Sequence, residues 1–319
     1  MSIIWRDPEL SLKPLGGKTV AVLGFGSQGR AQALNLRDSG IRVIVGARQG
    51  GGSWKEAGAL GFEVSPYDGA VAGADLIALL VPERAHCDVI RSDINPAARE
   101  GAAVVFAHGY TMLYGLKRPR DDLQCLLVAP KAIGQQLRRL YEEGKGAAAL
   151  IAAEPGDLEL AKAYAKALGC GRAAVIESSF REETETDLFG EQAVLCGGIS
   201  ELARAAFDTL VEAGYSPEAA YYECLFEIKL ISDMMFEHGI AGMVERISDT
   251  AQFGAMTAGP RVIGEQSRRA MRELLSEIQS GEFAKRFTEE QAAKSKNVKE
   301  WRHELREELI EKIRRELGE

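Results

Sequence analysis

Up to about residue 180 this chain alternates short, continuous apolar β-rich runs with amphipathic helical stretches; beyond that point strand signals nearly vanish. That change of texture limits the fold more than any compositional figure. The strand candidates are 19–23, 42–45, 75–81, 102–107, 123–128, 147–151 and 173–176, with helical stretches at 28–39, 54–59 and 158–168 between several of them. Uninterrupted apolar runs such as LIALLV and AAVVFA suit strands of a parallel sheet covered on both faces. Their alternation with helices predicts a doubly wound, Rossmann-like α/β domain. After the charged stretch Arg181–Thr186 the pattern turns helical, over 187–196, 199–213, 217–237, a broken segment at 239–262, and 264–280. The charged run from Thr288 to Leu317 reads as a solvated amphipathic helix. Residues 1–182 are therefore expected to form the α/β domain and 183–319 an all-α domain.

The 319 residues accord with two domains at roughly 150 residues each. A net charge of −8 argues against a general nucleic-acid binder. Five scattered cysteines, odd in number and without C-x-x-C spacing, read as reduced thiols of an intracellular protein. The N-terminal stretch MSIIWRDPELSL lacks a basic region followed by an apolar core, and no apolar run reaches the roughly 18 residues of a membrane span. A cytoplasmic protein without a membrane partner is expected.

Gly24-Phe25-Gly26-Ser27-Gln28-Gly29 follows a predicted strand and opens a predicted helix. The string is weak evidence alone, but the strand–turn–helix context supplies a mechanism. Gly24 makes the turn, Gly26 admits a pyrophosphate against the backbone, and Gly29 lets helix and strand pack closely. The helix N-terminus then offers N–H groups and a positive dipole to the phosphates. At the end of the next strand, where NAD sites usually place an acid for the ribose hydroxyls, the chain has Val45-Gly46-Ala47-Arg48-Gln49. Arg48 and Ser53 are suited to a 2′-phosphate, which favours NADPH, with NADH as the alternative.

Two carboxylate pairs carry the second half. Asp187 and Glu191 lie in DLFGEQAVLCGG, and Glu223 and Glu227 in YYECLFEIKL. Residues four apart share a helix face, so each pair aims two charges at one spot. The flanking residues are apolar, which predicts buried carboxylates, and an unpaired buried carboxylate costs several kcal/mol. Hard divalent cations such as Mg²⁺ match an all-oxygen donor set. The competing reading is two solvated acidic helix faces.

GFGSQGRAQALNLRDSG, FAHG, VAPK, EETETDLFGEQAVLCGG, LVEAGYSPEAAYYECLFEIKLISD and ISDTAQFGAMTAGPRVI occur in this order over roughly residues 15–285. Together they resemble ketol-acid reductoisomerase, in its shorter form. The resemblance implies an NADPH-dependent enzyme with two Mg²⁺ ions, acting in branched-chain amino-acid synthesis. It would convert 2-acetolactate or 2-aceto-2-hydroxybutyrate, both 2-hydroxy-3-keto acids, by alkyl migration and then hydride reduction. By the same resemblance Asp187 bridges the ions, Glu191 joins one, and Glu223 and Glu227 serve the second ion or its water. Ser248 holds the substrate carboxylate, His108, Lys131 and Glu227 act in catalysis, and Gly134 joins the cofactor contacts. The helical domain is expected to be knotted and to assemble a homodimer or larger homo-oligomer, completing the active site across the interface.

The chain departs from the family pattern near the site. Gly109-Tyr110-Thr111-Met112-Leu113-Tyr114 stands where G-F-N-I-H-F is common, Ala132–Gln136 replaces G-P-G-H, Arg30 replaces His, and Glu83–His86 differs from its usual acidic form. Gly51 replaces a frequent Ser, which should weaken NADP preference by about 1–2 kcal/mol. These changes keep two alternatives open: a Mg²⁺-dependent NAD(P)H reductase of a different 2-keto acid, and a non-catalytic NADP-binding protein.

Overall fold

The computed structural model describes residues 3–115 and 117–318, so Met1, Ser2, Leu116 and Glu319 of the expected domains lie outside the described residues. The chain packs as two compact units, Met1–Thr184 and Glu185–Glu319.

The first unit is built on nine strands: β1 (Ile4–Trp5), β2 (Thr19–Leu23), β3 (Arg42–Gly46), β4 (Glu63–Ser65), β5 (Leu76–Leu79), β6 (Ala103–Phe106), β7 (Gln124–Pro130), β8 (Ala149–Ala153) and β9 (Val175–Glu177). Their order is β1-β9-β8-β7-β6-β5-β2-β3-β4. Side chains alternate across each strand. Val20, Val22, Val43, Val45, Leu76 and Ala78 enter one core; Ala21, Leu23, Ile44, Ile77, Leu79 and Phe106 enter the other. A sheet covered on both faces leaves no position for polar residues, which is why these strands read as continuous apolar runs.

The parallel-sheet expectation holds from β4 through β7 and fails at the far edge. β8 runs antiparallel to β7, and β1 antiparallel to β9. An antiparallel edge on a parallel sheet satisfies the same backbone groups, and continuous hydrophobicity does not distinguish strand directions. The short strands β1 and β4 and the helices Tyr67–Ala72, Glu83–Val89, Tyr110–Leu113 and Gly134–Glu142 are additional to the expected elements. Such short elements offer too few repeats for periodicity to register.

Helix Ser27–Asp38 shows how polar groups are buried here. Asn35 Nδ2 donates to the Leu168 carbonyl at 3.1 Å, and Arg138 Nη1 donates to Asn35 Oδ1 at 2.9 Å. Gln32 Nε2 donates to Gln28 Oε1 at 3.2 Å, while the Tyr164 hydroxyl donates to Gln32 Oε1 at 2.9 Å. Satisfied in this way, they avoid the desolvation penalty of about 1–3 kcal/mol per unpaired group.

The second unit is helical, with helices Gly198–Glu212, Ile228–Val244, Asp249–Val262, Glu265–Ser280, Glu282–Ala292, Lys296–Glu307 and Leu309–Leu317. Gly239, at φ 73°, kinks the long Ile228–Val244 element. Two π-helical turns, Glu191–Leu195 and Tyr222–Phe226, interrupt the α-helical pattern. The expected single solvated tail helix is instead three helices, and the last of them packs inward. Ile310 and Ile313 join Phe207, Ala220 and Tyr221 in the unit's buried cluster. The Glu308 carboxylate receives Arg204 Nε at 2.9 Å and also pairs with its Nη2. The charge-rich face that made the tail look solvated is only its outer side. No described helix is long and apolar enough to cross a membrane.

Candidate active site

Strands β3 and β4 extend the sheet to one side of β2, while β5 returns on the other, so the C-terminal end of β2 lies at a switch point. A cleft of about 450 Å³ opens there, lined by Gly24–Gln28, Arg48, Ser53, Tyr67, the turn Leu79–Glu83, His86 and His108.

The glycines divide the work of the turn. Gly24 has φ +93°, a region open to glycine, and a Cβ on it would meet the Leu80 carbonyl oxygen at 2.9 Å. A Cβ on Gly29 would sit 2.0 Å from the Gly24 carbonyl oxygen. At Gly26 nothing beyond its own chain neighbours lies within 4 Å of where a Cβ would be, and the residue lines the cleft. Gly26 also caps the Ser27–Asp38 helix without a side-chain acceptor. Open backbone, a glycine cap and a helix N-terminus together fit a pyrophosphate. Arg48 and Ser53 stand on the cleft wall with Tyr67, whose hydroxyl pKa is raised by burial and pulled the other way by Arg48.

Gln28, expected as a cofactor contact, lines the cleft but donates its side-chain amide to the Ala132 carbonyl at 2.8 Å. Gly134 presses on the same loop: a Cβ there would lie 2.1 Å from the Ser27 carbonyl oxygen. These two residues brace the glycine-rich turn against the loop after β7.

That loop begins at Lys131, whose Nζ donates to Glu183 Oε1 at 2.8 Å. The second Glu183 oxygen accepts the Gly109 amide at 2.7 Å and lies 4.0 Å from His108 Nε2. Glu183 is 1% exposed. A buried carboxylate bonded on both oxygens holds a cation in a fixed place, and here the cation is the Lys131 ammonium. Glu183 was absent from the residues expected at the site, since it reads as one more charge in Arg181–Thr186. Its signal was the spacing: Glu183, Asp187 and Glu191 recur every four residues. His86 and Thr111, bonded to each other in the same region, also went unexpected.

Asp187 is partly buried, whereas Glu191, Glu223 and Glu227 are exposed, which corrects the expectation of buried carboxylates. Some of the apolar neighbours that implied burial are exposed too: Leu195 is 67% exposed and Leu230 51%, although Leu188 is buried. Apolar flanks predict burial only when another surface covers them. Both pairs border a π-helical turn, a wide turn that recurs at functional sites. Both turns pack on the Gly198–Glu212 helix. Carboxylate oxygens such as these are chemically suited to Mg²⁺. Ser248 is the N-cap of Asp249–Val262; its Oγ accepts the Ala251 amide at 3.3 Å and lies 3.0 Å from Thr250 Oγ1. A helix N-terminus with two hydroxyls is a suitable seat for a carboxylate.

Residues 14–174 match the model of the acetohydroxy acid isomeroreductase NADPH-binding domain, and 180–319 that of the ketol-acid reductoisomerase C-terminal domain. A ketol-acid reductoisomerase (NADP(+)) of Pyrobaculum neutrophilum is 48% identical, covering 99% of this chain and 98% of the relative. One from Methanocaldococcus jannaschii is 47% identical, covering 98% and 96%. The solved structure of an NADH-preferring ketol-acid reductoisomerase from an uncultured archaean covers 99% of this chain and 98% of its own, at 38% identity and a TM-score of 0.97. With family models matching both halves and relatives matching nearly end to end, the chain belongs to the ketol-acid reductoisomerase family.

Proposed function

We propose that the chain rearranges and reduces 2-acetolactate or 2-aceto-2-hydroxybutyrate to the 2,3-dihydroxy acid, with NADPH as hydride donor and two Mg²⁺ ions, as a cytoplasmic homodimer or larger homo-oligomer. One observation carries the reading. The run beginning with helix Phe180–Gly190 bears buried Glu183, paired to Lys131, and then Asp187 and Glu191 at successive four-residue steps. That spacing serves both proton handling and metal binding.

Gly24–Gly29 takes the pyrophosphate, and Arg48 with Ser53 takes the 2′-phosphate. Asp187, Glu191, Glu223 and Glu227 hold the two Mg²⁺ ions, which when bound polarise the ketone and acidify the tertiary hydroxyl. Ser248 receives the substrate carboxylate at its helix N-terminus. The Lys131 ammonium, oriented by Glu183, stabilises negative charge on a substrate oxygen, and His108 beside it can exchange a proton there. The exposed apolar surface of the helical unit supports self-association, because one chain leaves it uncovered.

The deciding experiment follows NADPH oxidation with Mg²⁺ and racemic 2-acetolactate, and in parallel with 3-hydroxy-3-methyl-2-oxobutanoate, which needs only reduction. Turnover of both, abolished by EDTA, is expected. Turnover of the second compound alone would replace this reading with that of a simple 2-keto acid reductase. Binding of NADPH without turnover of either would leave a non-catalytic nucleotide-binding protein.

A further inference from the structure

Two departures from the family pattern, far apart in sequence, meet in space. His86 belongs to the altered segment after β5, and Thr111 to the altered segment after β6. His86 Nδ1 lies 2.8 Å from Thr111 Oγ1, and its Nε2 lies 2.9 Å from the Val81 carbonyl oxygen. A carbonyl can only accept, so Nε2 carries the hydrogen and Nδ1 accepts from the Thr111 hydroxyl. Both ring nitrogens are therefore engaged by protein atoms, and His86 has none left to act as an acid or base on substrate.

Thr111 is 0% exposed and His86 5%. Each provides the other's side-chain partner where an unmatched polar group would be penalised. Thr111 sits in the one-turn helix Tyr110–Leu113, directly after His108 and Gly109. The other side of this turn is clamped as well. A Cβ on Gly109 would meet Phe180 O at 2.5 Å and Thr184 Oγ1 at 2.4 Å, and the Gly109 amide donates to Glu183. His108 stacks on Tyr110 within the turn, with ring centroids 6.2 Å apart. The segment is thus gripped on one side by the carboxylate that holds Lys131 and on the other by His86.

We propose that His86 is a positioning residue for the reaction: through Thr111 it fixes the turn that carries the His108 imidazole and the Gly109 amide, and so sets Glu183 and Lys131 against the substrate. This rests on the catalytic reading above, in which Lys131 and His108 face substrate. Burial keeps His86 neutral, with Glu83 opposing that effect and His108 reinforcing it, so the brace is in its uncharged form at neutral pH.

The test uses Thr111→Val, His86→Leu and His86→Gln, the last retaining one donor and one acceptor. Wild-type turnover of 2-acetolactate is measured first; its absence would sink the catalytic reading by itself. In active enzyme, His86→Leu and Thr111→Val are expected to lower kcat about tenfold or more, as small misplacements do, with NADPH affinity retained. His86→Gln should recover to within about threefold of wild type, and the Leu/Val double variant should be no worse than either single. The pH profile of kcat should shift in the Leu and Val variants and return in Gln. The chain's four histidines make a second readout independent of turnover: ¹⁵N NMR should show a neutral His86 protonated at Nε2, and Thr111→Val should move the His108 signals. Unchanged His108 signals, kcat within about twofold of wild type, or additive losses with no recovery in Gln would overturn the proposal.

Discussion

The two units bury their apolar residues to very different extents. In the first, β2, β5 and β6 are buried along their whole length, and each fully covered Val, Leu, Ile or Phe contributes about 1.5–3 kcal/mol. In the second, the described core is small, while Phe236 is 90% exposed, Ile240 72%, Met256 68% and Phe253 66%. Helices apolar on most of their surface are stable when covered, which is the physical basis for the self-association proposed for the second unit. The cleft at the glycine-rich turn of the first unit has preformed walls, whereas three of the four carboxylates proposed for metal binding in the second unit stand exposed.

The comparison can be broken most directly at the carboxylates. Glu191→Gln is expected to reduce turnover about 10³-fold or more by removing several kcal/mol of metal-dependent stabilisation, while NADPH binds as in wild type. Loss of nucleotide binding in parallel would show that the two sites are not separable. Next in size, a charge placed in the apolar surface, as in Phe236→Glu, should dissociate the proposed oligomer in sedimentation experiments, with nucleotide binding preserved. A variant with unchanged mass in solution would remove Phe236 from any interface.

Within the first unit, Gly29→Ala forces a methyl group onto the Gly24 carbonyl. Backbone cannot yield as a side chain can, so a loss of about 2–3 kcal/mol is expected in denaturant unfolding. Arg48→Ala should cost NADPH about 1–2 kcal/mol relative to NADH, read as the ratio of kcat/KM values. An unchanged ratio would place the 2′-phosphate elsewhere.

The smallest effects concern titration. Burial holds the His86 pKa below its ordinary 6.5, so the unfolded chain takes up that proton more readily. The stability from neutral His86 is therefore complete above pH 6.5 and declines as pH falls below it. His86→Gln should flatten that acid limb in urea titrations. Burial also pushes Cys125 up to about 11 and Cys170 to about 12, so iodoacetamide should reach them only on unfolding.

Much of this molecule follows from local periodicity. Continuous apolar runs named most strands of the first unit, Gly24–Gly29 named the turn that lines the cleft, and four-residue spacing singled out Asp187, Glu191, Glu223 and Glu227, the carboxylates proposed to hold metal. Each of these is a property of a few neighbouring residues and the geometry of one element. His86 and Thr111 could not be found in that way, and the four-residue spacing that includes Glu183 does not reveal its burial. Glu183 looks like any solvated charge until Lys131, 52 residues away, and Gly109, 74 away, close on it. The antiparallel setting of β8 and the inward packing of Ile310 and Ile313 were equally invisible, since a strand has the same pattern in either direction and an amphipathic helix does not name the surface it covers. Sequence by itself determined most of the central strands and singled out the residues proposed to carry the chemistry, because those depend on short-range geometry. Tertiary structure alone decided which charges are buried, which are paired and which apolar faces stay open, because burial belongs to surfaces brought together from distant parts of the chain.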